Sequence, residues 1–230
     1  MSGAPPSPTG TLYLVATPIG NLRDISLRAL DTLKAVDMIA CEDTRHSARL
    51  LAHYEIRTPL TSLHEHNERA KTTALVQQLK DGRSIALISD AGTPLVSDPG
   101  WWLVHCALEE RIPIHWIPGP VALIGGLVLS GLPLERFAFE GFLPAKPVAR
   151  RKRLAALASD ARTVVLYESP HRLLKTLADI RDVLGEVQVA CARELTKLFE
   201  EVQRGEVSQV IAHFETHPPR GELVIALRPQ

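Results

Sequence analysis

No charge of either sign prevails in this chain. Its 26 Lys and Arg balance 26 Asp and Glu over 230 residues, so the net charge is zero. Such a protein does not grip nucleic acid or an anionic membrane by bulk electrostatics. Cysteine is scarce as well. Cys41, Cys106 and Cys191 are odd in number, far apart and each set in an apolar stretch. That excludes a disulfide framework or a zinc knuckle and points to a reducing, cytoplasmic setting. The first ten residues lack the basic start and apolar run of a signal peptide and read as a short disordered tail. An uncharged run at 112–134 has the length of a membrane span. Pro113, Pro118, Pro120 and Pro133 break it, however, leaving 121–130 as unbroken helix, about 15 Å where a bilayer core needs about twice that. No membrane span is expected. Absent too are a Gly-x-Gly-x-x-Gly fingerprint, a Gly-x-x-x-x-Gly-Lys-Ser/Thr phosphate loop and a His-Glu-x-x-His zinc motif, which lowers the standing of NAD, ATP and zinc chemistry.

What is present is the composition of a globular chain, 45% hydrophobic and 23% charged, with length for one large or two small domains. Apolar runs of strand length alternate with helical patterns through the first half. Strands are expected at 11–17, 38–41, 60–63, 84–88 and 114–117. Helices are expected after Ser26 with Leu27, Leu30 and Leu33 inward, at 47–54, at 68–80 with Ala70, Ala74 and Leu75 inward, at 101–110 and at 121–130. Strict alternation implies right-handed crossovers and a mainly parallel sheet. The rhythm loosens at 131–147, where three prolines and two glycines suggest a junction. Beyond it, helices at 148–158, 171–184 and 208–216 and strands at 163–167, 187–193, 199–204 and 222–227 predict a mixed sheet. The fold class is thus two α/β domains sharing a cleft, with a tail at 1–10, a first domain at 11–132 and a second at 133–230.

In open α/β sheets, ligands bind at the carboxyl ends of the strands, and the loops there are unusual. Residues 89–100, Ser-Asp-Ala-Gly-Thr-Pro-Leu-Val-Ser-Asp-Pro-Gly, form a long loop of small residues beside a carboxylate, a composition that admits close backbone approach to a ligand. Pro118-Gly119-Pro120 opens an apolar helix whose small first residues suit a flat heterocycle. Cys-Glu-Asp-Thr-Arg at 41–45 and His-Glu-His-Asn-Glu at 64–68 follow the second and third strands. They offer a metal site, a helix cap with solvated charges, or a polar wall facing substrate. His64 and His66 stand two apart rather than four, which weighs against the metal. Glu-Ser-Pro-His-Arg at 168–172 and Arg-Glu-Leu-Thr-Lys at 193–197 occupy similar positions in the second half. Finally, Lys146, Arg150, Arg151, Lys152 and Arg153 make a basic run. Between 142 and 162 there are six basic residues and one acidic, a local charge of +5 on a body that is otherwise acidic. A patch of that size holds a phosphate backbone at one place.

Together with Thr-Pro-Ile-Gly-Asn at 17–21, these motifs in this order resemble the small-subunit ribosomal RNA methyltransferases of the tetrapyrrole methylase superfamily, over nearly the whole chain. The resemblance implies a homodimer of two-domain subunits with S-adenosylmethionine in the interdomain cleft. It also implies methylation of a cytidine ribose 2′-hydroxyl in the decoding centre of 16S rRNA, within the small ribosomal subunit. Carried over by position, Pro18, Asp90, Ala91, Gly92, Leu95, Val121 and Ala122 form the cofactor pocket, completed by Glu168, Leu195 and Gly221. Glu42, Asp43 or His64 is expected as the base, with Arg45 on phosphate and the basic run on RNA. No resident metal is expected. The rival readings are a small-molecule methyltransferase acting on a tetrapyrrole, a metal-dependent phosphoesterase using Glu42, Asp43, His64 and His66, and a silent RNA-binding module.

Overall fold

The computed structural model describes residues 9–229. The tail reading falls mostly on residues outside the described ones, but Gly10 is packed, its N–H donating to Leu79 O at 2.7 Å. The chain divides into two compact units between Pro120 and Val121. This is twelve residues ahead of the boundary expected from the proline-rich stretch, because the helix after Pro120 packs within the second unit.

The first unit alternates β1 (Leu12–Val15), α1 (Leu27–Ala35), β2 (Met38–Cys41), α2 (Thr44–His53), β3 (Leu60–Ser62), α3 (Glu68–Lys80), β4 (Ile85–Ile88), α4 (Trp101–Glu109) and β5 (Ile114–Ile117). Its sheet runs β3-β2-β4-β1-β5 with every pair parallel. The inner strands β1, β2 and β4 are apolar runs because both faces are covered. Leu33, Leu50 and Leu51 of α1 and α2 pack on one face with Val15, Ile39 and Ile88. Leu75, Leu79 and Leu103 of α3 and α4 pack on the other with Ala40, Ile85 and Leu87. The neighbouring strands β1 and β4 therefore send their chains to opposite faces, which opens a crevice at their carboxyl ends.

Two helical faces differ from expectation. Leu27 is 80% exposed, and Ala29 and Leu33 carry the burial of α1. In α3, Ala70 and Ala74 face solvent while Thr72, Leu75, Val76 and Leu79 are buried. The small alanines suit either side, so the branched residues decide the inward stripe.

The second unit begins with α5 (Ala122–Ser130) and continues through β6 (Phe137–Phe142), α6 (Pro147–Leu157), β7 (Thr163–Glu168), α7 (Leu173–Leu184), β8 (Gln188–Arg193), β9 (Glu201–Glu206), α8 (Val207–Thr216) and β10 (Leu223–Arg228). Its sheet is mixed, in the order β6-β7-β10-β8-β9, parallel between β6 and β7 and antiparallel elsewhere. The stretch expected to be a junction thus holds strand β6. A bulge between Phe139 and Phe142 breaks its register, which is why no clean alternation marks it. Helix α5 lies close on β10: a Cβ at Gly126 would come within 2.5 Å of Val224. The longest apolar run therefore holds a nine-residue helix that buries one face, and among the described residues no helix is long and apolar enough to cross a membrane.

Candidate active site

All five parallel strands of the first unit end at one edge, and the motif loops meet there. Thr17 and Gly92 form an isolated antiparallel bridge, Thr17 N–H donating to Gly92 O at 2.8 Å and Gly92 N–H to Thr17 O at 3.1 Å. Thr17 Oγ1 also donates to Ser89 O at 3.0 Å, and Ser89 Oγ to Gly92 O at 3.0 Å. These bonds hold the loops after β1 and β4 as one piece. Within that piece Leu95 and Ser97 adopt left-handed φ of 73° and 67°, strain of the kind that collects at functional loops. Asp43 N–H donates to Asp90 Oδ1 at 3.2 Å, joining the loop after β2. A pocket of about 40 Å³ opens here, lined by Thr17, Pro18, Leu50, Ser47, Ser89 and Asp90, among others.

The three groups expected as bases differ sharply. Asp43 caps α2, accepting Arg45 N–H at 2.8 Å and meeting the Arg45 guanidinium at 3.0 Å. The Arg45 hydrogen bonds lower its carboxyl to about 2, so it is a weak base. Glu42 moves the other way. Desolvation first, then the nearby charges of Asp90, Asp43 and Glu65, raise its carboxyl above the ordinary value, against a lowering by His64. His64 is locked by Asn67. Asn67 Oδ1 accepts His64 N–H at 2.9 Å, so its amide nitrogen must face Ser62 and His64 Nε2, the latter at 3.0 Å. A ring nitrogen facing an NH₂ group accepts, so neutral His64 carries its proton on Nδ1, which is buried without a partner. The imidazole is thus held in place by Asn67, and of the two carboxylates Glu42 is the one whose pKa is raised.

Helix α4 explains Glu68. The helix follows Gly100, which has no side chain to cap it, leaving first-turn N–H groups without partners. Glu68 Oε1 accepts Gly100 N–H at 3.1 Å and Trp102 N–H at 2.7 Å. The roles of Asn67 and Glu68 escaped the sequence reading, although a helix opening on bare glycine was a signal that its cap lay elsewhere.

In the second unit, Val121 flanks the start of α5 and Ala122 begins it, and the Tyr167 hydroxyl accepts Leu123 N–H at 3.2 Å. Leu195 is buried between Glu194 and Thr196, both left-handed, at φ 50° and 66°. Gly221 lies against Glu194, whose Oε1 would stand 1.9 Å from an added Cβ. Glu168 departs from the expected set. It is buried, accepting from Thr176 Oγ1 at 2.6 Å and Ser169 N–H at 2.8 Å, with Arg172 Nε 3.3 Å away. Its carboxylate anchors the start of α7 and is spent within the unit.

The basic run is corrected more deeply. Arg150 is 4% exposed and its guanidinium meets Asp179 at 2.6 Å. Arg151 bridges Asp179 and Asp182 at 2.6 and 3.0 Å, and Arg153 donates to Glu140 at 2.7 Å. Arg162 pairs with Asp160 at 2.7 Å. The acids on α7 and β6 lie outside the counted window, so the local +5 is largely neutralised once the chain folds. Lys146 and Lys152 remain exposed on α6 and at its cap.

Comparison with known proteins decides the family. The sequence profile described as Tetrapyrrole (Corrin/Porphyrin) Methylases matches residues 11–211. The chain belongs to this methylase family. The methylase is 50% identical to ribosomal RNA small subunit methyltransferase I of Synechocystis sp., across 95% of this chain and 78% of that protein. It is 46% identical to the protein of the same name from Thermotoga maritima, across 95% of this chain and 98% of the relative. Among solved structures, the uroporphyrin-III C-methyltransferase of Thermus thermophilus complexed with S-adenyl homocysteine shares the fold, with TM-score 0.65 and 17% identity over 94% of this chain and 97% of that one. As for the phosphoesterase rival, no three His, Cys, Asp or Glu side chains of the methylase are grouped to hold a metal ion among the described residues.

Proposed function

We propose that this methylase transfers a methyl group from S-adenosylmethionine to the ribose 2′-hydroxyl of a cytidine in 16S rRNA of the small ribosomal subunit, in the cytoplasm and as a homodimer. The observation that carries this reading is identity near 50% over 95% of the chain to a protein named for small-subunit ribosomal RNA methylation. The residues at the strand ends fit the cofactor's chemistry. Pro18 and Leu50 supply apolar surface, Ser47 a hydroxyl and Asp90 a carboxylate, a mixture that suits a nucleoside. Asp90, Ala91, Gly92 and Leu95 of the strained loop, with Pro18, would hold it in the first unit. Val121, Ala122, Leu195 and Gly221 are its contacts in the second.

When bound, S-adenosylmethionine supplies a methyl on a sulfonium, whose carbon–sulfur bond breaks in line as the oxygen–carbon bond forms. Glu42 takes the proton of the attacking hydroxyl, and its raised pKa suits that task better than an ordinary carboxylate. Asn67 keeps His64 Nδ1 a donor, so His64 serves to orient. Arg45, 89% exposed at its side chain, contacts phosphate from the start of α2. Lys152 on α6 and Lys146 at its cap add phosphate contacts. Ile124, Val128 and Leu129 leave an exposed apolar row on α5 for a second copy.

The test supplies labelled S-adenosylmethionine with intact small ribosomal subunits, with naked 16S RNA and with neither, then maps the methyl by mass spectrometry. Label on a cytidine ribose is expected with the RNA substrates only. Label absent from ribose in every case overturns the proposal.

A further inference from the structure

Three aromatic rings lie together on the first unit, Trp101 exposed and Trp102 and His105 half-buried. Trp101 is 63% exposed at the first position of α4. Its indole stacks on His105 one turn later, with centroids 5.0 Å apart and planes 7° from parallel. Trp102 closes the group, 5.8 Å from Trp101 and 5.3 Å from His105, and the Arg69 guanidinium lies over its ring at 5.2 Å. His105 Nε2 lies 3.4 Å from the Glu109 carboxylate one turn later.

Single exposed apolar residues need no explanation, but a stacked set with a cation on it does. We propose that Trp101, backed by His105 and adjoining Trp102 with the Arg69 cation over it, is a stacking platform for an unpaired nucleobase of the RNA substrate. This rests on the proposed RNA methyl transfer and names the part of the RNA that this surface holds. Every base presents a flat π-face, and indole is the side chain that covers most of it. The Arg69 cation complements the adjoining phosphate, which neither an apolar peptide nor a second copy of the chain requires. The platform is also continuous with the candidate active site. Glu68 binds the Gly100 and Trp102 N–H groups, so the 64–68 loop that holds His64 also fixes the start of α4. A base seated on Trp101 is thereby registered against the groups proposed to handle its neighbour's ribose.

Stacking on an aromatic side chain changes affinity by about 5- to 100-fold per base. The experiment measures binding of a fluorescently labelled single-stranded oligocytidylate by anisotropy for the full-length protein and for Trp101→Ala and Trp101→Tyr. In parallel, KM and kcat are measured for methyl transfer to small ribosomal subunits. The platform requires Trp101→Ala to weaken oligonucleotide binding and raise KM by at least fivefold, with kcat within about twofold and binding of S-adenosylmethionine unchanged. Trp101→Tyr must restore most of the loss. Oligonucleotide binding within twofold of wild type in Trp101→Ala, or an oligomeric state that shifts with the substitution, overturns it. If oligonucleotide binding depends on Trp101 while wild type methylates no RNA, the platform stands and the proposed reaction falls.

Discussion

The charged residues of the first unit stand at strand ends, where each keeps its own character: Asp43 capped and strongly acidic, Glu42 raised, His64 held as a donor. Those of α6 in the second unit are drawn into a lattice with Asp179, Asp182 and Glu140, and the most central of them, Arg150, is buried. The same residue types thus do opposite work. Groups at a sheet edge face only their loop neighbours, so their chemistry stays available. Groups on a helix packed against another helix meet that helix's charges, and their pairing holds the fold. Density of charge along a chain is accordingly a weak sign of a binding surface, and position after a strand marks a site only where no local partner takes up the group, as Thr176 and Arg172 take up Glu168.

The largest expected effect is on the first side of that comparison. Glu42→Gln should slow single-turnover methyl transfer by about 10²- to 10⁴-fold, the usual contribution of a general base, while Asp43→Asn should cost well under tenfold. If both changes leave the rate within threefold, the edge groups have no separate roles. The pH profile sharpens the same point. Glu42 acts as carboxylate, so the rate should rise with pH and be lost as pH falls through its pKa, at a pH above that of an ordinary glutamate because that pKa is raised. The next effect lies on the other side. Asp179→Ala leaves Arg150 charged and buried without its partner, and urea unfolding should show a loss of about 3–5 kcal/mol. Replacing both, as Arg150→Met with Asp179→Leu, should restore most of it. A single variant within 1 kcal/mol of wild type would show that the pair is not structural.

Much of the fold was legible because period and burial agree. β1, β2 and β4 are apolar runs, and Ser26 caps α1 as expected, whereas α2 begins three residues before 47, capped by Asp43. The family was legible from motifs that recur in order. What escaped depends on which partners a side chain meets in the fold, near or far along the chain. Strand β6 is hidden by its bulge and by prolines on both sides. Helix α5 goes with the second unit because Gly126 admits Val224, about a hundred residues later. Glu168 looks like a ligand until Thr176 and Arg172 are seen around it. Asn67 looks like one more polar residue until its backbone bond to His64 fixes its amide.

The smallest expected effect tests whether the ion pairs of α6 persist on RNA. Binding to small ribosomal subunits releases counterions in proportion to the phosphates neutralised, so each free cation at the interface adds about one to the slope of log affinity against log salt. Lys152, exposed and outside the arginine lattice, should lower that slope by about one when changed to alanine. Arg153 is already neutralised by Glu140 at 2.7 Å, and Arg153→Ala should change the slope by much less. Measured over a salt series, equal changes for the two variants would mean that Glu140 releases Arg153 when RNA arrives. The charge counted along the chain would then describe the bound protein better than the pairs of the free one.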